Sequence, residues 1–247
     1  MNEAPTVTGM VLSAMPVGDY DKRLIILTKE RGRISAFAKG AKKPNSPLLA
    51  ASEPFSFGTF TLYEGRSSIT VASAEITNYF QELRGSLENI YYGLYFCEFA
   101  DYFARENEDG TQVLKLLYQS LRALSKPAIG RRLVRCIYEL RLFALEGLMP
   151  QVFFCVKCGK KEALARFSPE EGGMLCPECQ RGKSGIPVSS SALYTLQVIL
   201  SEPIESLYRF TVTKEVLSEL TRITAQYRAV HVDKRMNSEE MLKLIDM

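Results

Sequence analysis

The chain has 247 residues, 46% hydrophobic and 24% charged, so it is long enough for a sizeable core, and its composition excludes a disordered or fibrous protein. Its most apolar stretch, Ile90 to Ala100, is broken by Glu98 and is too short to span a bilayer. The start Met1-Asn2-Glu3-Ala4-Pro5 has neither part of a signal peptide, so a cytoplasmic location is expected, where thiols stay reduced. A formal net charge of +3 says little in bulk, but its distribution says more.

The chain from its start to about Phe80 reads as β-structure. Thr6 to Ala14, Leu24 to Thr28, Arg33 to Ala38, Phe55 to Tyr63 and Ser68 to Ala72 are short β-branched and aromatic runs separated by turn residues. Glu30-Arg31-Gly32-Arg33 is expected to form a hairpin turn, because Gly32 tolerates positive φ. About five short strands in this length suit a small antiparallel barrel, and the OB-fold is one such architecture. Between Lys22 and Lys43 lie Lys22, Arg23, Lys29, Arg31, Arg33, Lys39, Lys42 and Lys43, against the single acid Glu30. A local field of one sign favours a polyanion. Lysines on strand edges also serve to block sheet-to-sheet aggregation, so a purely protective role is the competing reading. Phe37, Tyr20 and Tyr63 are either barrel core or aromatics on which bases stack.

After Glu75 the apolar period becomes helical. Leu87, Ile90, Tyr91, Leu94, Tyr95 and Phe99 form one such series; Leu114, Leu117, Leu121 and Leu124 a second; Leu133, Ile137, Leu140 and Leu145 a third. Gly147 and Pro150 end the third helix. Helix resumes at Ser189-Ser190-Ser191, and a final helix is expected from about Thr213, a good N-cap, to Arg228. Cys97 and Cys136 lie among apolar helical positions and are expected to be buried thiols. The expected architecture is α+β and multidomain: a five-stranded OB-fold barrel over residues 1–80, then a helical domain over 81–247 carrying a cysteine module inserted at about 152–184.

That module holds four of the six cysteines, as Cys155-Val156-Lys157-Cys158 and Cys176-Pro177-Glu178-Cys179, with the stretch from Gly159 to Leu175 between the pairs. Thiolates two residues apart on a tight turn can share one metal ion, and two such turns complete a tetrahedral Cys₄ shell typical of one structural Zn²⁺. Two disulfides or a redox CxxC are the alternatives; the first needs an oxidising compartment and the second a βαβ unit. Gly159 lets the backbone turn toward the metal.

Other chemistry is sparse. Gly182-Lys183-Ser184 resembles the end of a phosphate loop, but Pro177 stands where the first glycine belongs. The single histidine, His231, offers no catalytic dyad, and Glu170-Glu171 and Glu239-Glu240 read as solvated turns. A protein without enzymatic activity is expected.

Three segments, Gly18-Asp19-Tyr20-Asp21-Lys22, Leu27-Thr28-Lys29-Glu30-Arg31-Gly32-Arg33 and Ala38-Lys39-Gly40-Ala41-Lys42-Lys43, closely resemble the bacterial recombination mediator family RecO. So do Leu148-Met149-Pro150, Cys155-Val156-Lys157-Cys158-Gly159, Gly172-Gly173 and Cys176-Pro177-Glu178-Cys179, in the same order. The resemblance implies an OB-fold, a helical domain and a zinc module in a non-enzymatic DNA repair protein of the bacterial cytoplasm and nucleoid. It implies binding to single- and double-stranded DNA, annealing of complementary strands and, with RecR, loading of RecA onto DNA coated by single-strand-binding protein. Carried over, Cys155, Cys158, Cys176 and Cys179 are zinc ligands, and Lys22, Arg23, Arg31, Arg33, Lys39, Lys42 and Lys43 are DNA contacts. The same resemblance suggests Arg131, Arg132 and Arg135 for the C-terminal tail of single-strand-binding protein. The competing function is a zinc-ribbon adaptor that contacts proteins and has no DNA affinity of its own.

Overall fold

The computed structural model describes residues 5–181 and 185–245. Gly182-Lys183-Ser184 lies outside the described residues. The chain forms two compact units, one of Met1–Ser125 with Met236–Met247 and the other of Lys126–Arg235.

In the first unit, β1 (Thr6–Val17), β2 (Asp21–Thr28), β3 (Gly32–Ala38), β4 (Phe57–Glu64) and β5 (Ile69–Asn78) close a barrel in the order β1-β2-β3-β5-β4. All neighbours are antiparallel except β3 and β5. A four-residue helix, α1 (Leu48–Ala51), joins β3 to β4. This is the OB-like barrel expected from the sequence. Alternation builds it: Leu24 and Ile26 of β2 and Ile34, Ala36 and Ala38 of β3 point inward to meet Val7, Val11, Phe60, Leu62 and Val71. Gly32 has φ of 59°, and a Cβ there would collide with the Arg105 carbonyl oxygen, so the turn and its packing both require glycine.

Two strands outrun their expected ends. β1 continues past Ala14 because Met15, Pro16 and Val17 still pair with β2, above the stretch Thr6 to Met10 that β1 shares with β4. β5 continues past Ala72 because Ser73 to Asn78 pair with Phe57 to Thr61, with Ser73, Glu75 and Thr77 exposed. Backbone pairing holds that stretch together with the partly buried Ala74 and Ile76, which pack on the barrel core.

Helix α2 (Leu87–Phe103) starts at Ser86, whose Oγ accepts from the Asn89 N–H. It buries Tyr92, Tyr95, Phe96 and Phe99, and α3 (Thr111–Leu124) buries Leu114, Leu117 and Leu121. Both pack on the lower barrel, where the outward Met10 and Leu27 are fully covered.

The second unit contains α4 (Arg131–Leu145), a small sheet of β6 (Arg166–Ser168), β7 (Gly173–Leu175) and β8 (Ile186–Pro187) in the order β7-β6-β8, then α5 (Ser190–Ser201) and α6 (Lys214–His231). Ser189 and Thr213 cap α5 and α6 through their hydroxyls. Glu139, 2% exposed on α4, is offset by Arg135 at 2.7 Å and Arg228 at 3.8 Å, as a buried carboxylate must be. Arg141 donates to the Leu200 carbonyl at 2.8 Å and so closes the C-terminal end of α5. Cys97 and Cys136 are buried free thiols, in agreement with the sequence.

The expected final helix is not the last. α7 (Asn237–Ile245) belongs to the first unit and packs on α2, burying Met236 and Leu242. The Glu98 carboxylate of α2 accepts from the Asn237 and Ser238 N–H groups at 3.0 and 2.8 Å, capping α7 from a distant helix. Glu239 and Glu240 therefore lie in the first turn of a helix, not in a turn.

A candidate metal centre and a candidate nucleic-acid face

Each cysteine pair sits on its own hydrogen-bonded turn. Gly159 N–H donates to the Cys155 carbonyl at 2.9 Å and Gln180 N–H to the Cys176 carbonyl at 3.0 Å. Gly159 has φ of 74°, the left-handed conformation the turn demands. Cys176 follows directly on β7, and the Val156 N–H reaches the Met174 carbonyl of that strand at 3.0 Å, which locks the first turn against the second. Gly173 is needed because a Cβ would strike the Gln151 carbonyl oxygen. Two ion pairs, Lys157 with Glu171 and Lys160 with Glu178, bridge the flanks.

The four Sγ atoms all lie within 4.8 Å of one another, and Cys158 and Cys176 are 3.7 Å apart. A tetrahedron with metal–sulfur bonds of ~2.3 Å has edges of about 3.8 Å, so the quartet has the size of a metal shell. None of the six cysteines is in a disulfide. Burial pushes the Cys155 thiol up, but the N–H groups of Cys176, Cys158 and Lys157 outweigh it and bring it down to about 6, a thiolate at neutral pH. Cys179 is raised to about 12 because it shares its proton with the Cys158 and Cys176 sulfurs. A cation seated among the four would displace that proton. The residues present fit a metal ion.

The basic stretch divides into two groups. Lys22 is mostly buried and donates to Glu53 at 2.6 Å and to Ser52 at 3.1 Å. Arg31 pairs with Glu64, and Arg33 with Asp101 at 2.5 Å and Glu106 at 3.6 Å. Among the described residues, no acid pairs with Arg23, Lys39, Lys42 or Lys43. Arg23 projects from β2, its Nε 2.9 Å from the Ser35 hydroxyl. The three lysines lie on the loop after β3, which is tied to the β1–β2 turn: Gly40 N–H donates to Asp21 at 2.7 Å and Lys42 N–H to the Tyr20 carbonyl at 2.8 Å. Lys43 Nζ stands 5.4 Å over the Tyr20 ring. None of the three aromatics is core: Tyr20 and Tyr63 are exposed, and Phe37 is half-buried. Arg66, exposed on the β4–β5 turn, is a further cation that the basic cluster did not include, because α1 and β4 separate it from Lys43 along the chain.

Arg131, Arg132 and Arg135 occupy the first turns of α4, and Arg135 is committed to Glu139. His231 ends α6, its ring against Tyr227 and Phe143. No helix among the described residues is long and apolar enough to cross a membrane.

Comparison with known proteins covers nearly all of the chain. The family model described as "Recombination protein O N terminal" matches residues 1–80, and that for "Recombination protein O C terminal" matches residues 84–240. The DNA repair protein RecO of Alkaliphilus metalliredigens is 32% identical over 96% of this chain and 98% of its own length. Those of Symbiobacterium thermophilum and Desulforudis audaxviator are 31% and 32% identical, over 96% and 95% of this chain and 95% and 94% of their own lengths. The two matches span the barrel and nearly all of the helical region, and the chain belongs to the RecO family of DNA repair proteins.

Proposed function

We propose that the chain is a DNA-binding recombination mediator that works without catalysis in the bacterial cytoplasm, on the nucleoid. It binds single- and double-stranded DNA, anneals complementary strands and, with RecR, assists RecA loading on DNA coated by single-strand-binding protein, whose C-terminal tail it contacts. The observation that carries this reading is the set of four cations without acidic partners, Arg23, Lys39, Lys42 and Lys43, held on and beside one end of an OB-like barrel. Loops at that end of such barrels are where nucleic acid lies. Lys22, Arg31 and Arg33, offset by carboxylates, hold the barrel and its loops in shape and contribute less to binding.

Annealing needs little beyond this charge. Phosphates of two strands replace their counterions with the same basic surface, and the released ions supply the free energy. With about four to six phosphates contacted, log K falls against log salt with a slope of roughly −3 to −5. Reversing Lys39, Lys42 and Lys43 to Glu weakens binding and annealing and makes the slope shallower by roughly 2 to 3, with the melting temperature unchanged. The direct test is the rate of annealing of strands coated by single-strand-binding protein, with and without the chain. No acceleration at any salt concentration would instead favour the protein–protein adaptor.

The quartet Cys155, Cys158, Cys176 and Cys179 is assigned one Zn²⁺, with a structural role. Four thiolates fill a tetrahedron and leave no position for substrate.

A further inference from the structure

The outer surface of the barrel changes along its strands. Met10 lies opposite Leu27, and Leu27 opposite Arg33. That row is covered: Met10 and Leu27 are buried beneath helices, and Arg33 is tied to Asp101 of α2. Nearer the loops, Met15 lies opposite Arg23, Arg23 opposite Phe37, Phe37 opposite Thr70 and Thr70 opposite Tyr63. Directly opposed residues project from the same side of a sheet. Their chain neighbours Leu24, Ala36, Val71 and Leu62 point into the core, so this row points outward.

The row is apolar and aromatic where an uncovered face would ordinarily be polar. Met15 and Tyr63 are each 65% exposed, and Phe37 is half-buried. The barrel core is complete without them. Phe37 and Tyr63 are two strands apart, about 10 Å, with only the small Thr70 between. Cations border the row: Arg23 stands in it, Lys39 follows Phe37 by two residues, and Arg66 lies on the turn beyond Tyr63. Glu64, the acid next to Tyr63, is occupied by Arg31.

We propose that this row is a base-stacking platform for single-stranded DNA, with Phe37 and Tyr63 each receiving the face of a base while Arg23 and the loop lysines hold phosphates. The proposal rests on the reading of the barrel as the DNA-binding part and adds what the charge alone does not give. Phosphates are present in single and double strands alike, whereas base faces are free only in single strands. The rings therefore favour single-stranded DNA, and the lysines do not discriminate.

The test compares binding of an oligothymidylate, an abasic oligomer of the same length and a duplex across a salt series, for the full chain and for Phe37→Leu and Tyr63→Leu. Leucine keeps apolar volume and removes the π face, and unchanged melting temperatures show that the fold is kept. Each variant is expected to weaken oligothymidylate binding roughly 5- to 150-fold at every salt concentration, with the salt slope and duplex affinity unchanged. The abasic oligomer binds weakly to the parent and equally to the variants. Because the chain has no tryptophan, Tyr63→Trp adds a single reporter whose emission is quenched by oligothymidylate. Unaltered affinities with an intact salt slope, or an abasic oligomer bound as tightly as oligothymidylate, overturn the platform alone. A parent chain that binds none of the three overturns the barrel reading with it.

Discussion

Lys22, Arg31 and Arg33 look the same in the sequence as Lys39, Lys42 and Lys43, yet they do different work. Their acids, Glu53, Glu64 and Asp101, stand 31, 33 and 68 residues away, at distances that no local pattern reveals. Charge density was therefore legible, and its division into bracing and free cations was not. His231 is a second case. A lone histidine at a helix end reads as incidental, but its Nε2 is buried without a partner and its ring lies 4.3 Å from that of Tyr227. Burial lowers its pKa from the usual 6.5, so the folded protein holds the neutral form. The unfolded chain takes up the proton more readily. This contribution to stability is complete above the unfolded pKa and is lost as pH falls through the folded one. Urea midpoints measured between roughly pH 7 and pH 5.5 should decline, and His231→Phe should flatten the decline, since no other histidine titrates there. An identical slope in the variant would refute this.

Among the elements, the barrel strands and the helices α2 to α4 follow from period, because their apolar positions face the core of their own unit, and α5 and α6 are announced by the capping residues at their starts. The cysteine turns follow from spacing, because two residues between ligands dictate a tight turn whatever surrounds it. β5 beyond Ala72 and the whole of α7 did not follow. The first is polar on its open side and held by backbone pairing; the second is short and takes its cap from Glu98, far back in the chain. Around the cysteine turns themselves the buried cluster is small, Leu175 with Cys155 and Cys176 and partly buried neighbours such as Val156 and Leu164. With the Zn²⁺ proposed for the quartet, metal binding is expected to supply much of the order of these turns. A chelator, or Cys176→Ser, should raise amide hydrogen exchange from Cys155 to Gln180 and leave the amides of β1 to β5 protected. DNA affinity should change little. Exchange that rises equally in the barrel would show that the module braces more than itself.

At the scale of the molecule, the first unit is discontinuous: the whole of the second unit, Lys126 to Arg235, intervenes before α7 completes it. Two buried side chains, Met236 and Leu242, and the Glu98 carboxylate with its bonds to Asn237 and Ser238 help to fasten α7. Loss of a cap of this kind costs about 0.5–2 kcal/mol. Glu98→Ala should increase hydrogen exchange from Asn237 to Ile245 and lower the melting temperature of the first unit by a few degrees, while exchange in α4, α5 and α6 stays as it was. Unchanged exchange in α7 would mean that the helix is held without the Glu98 cap.

The same discontinuity sets an order in time. A ribosome makes the barrel, α2 and α3 first, then every residue of the second unit, and only afterwards the helix that α2 receives. Until then the patch of α2 that holds Met236 and Leu242 is bare, and Glu98 is a carboxylate with no helix end to accept. The nascent first unit thus waits, apolar surface open, while all of α4, the cysteine module, α5 and α6 are synthesised. It is in that interval, rather than in the finished molecule, that this chain is most exposed to aggregation or to capture by a chaperone.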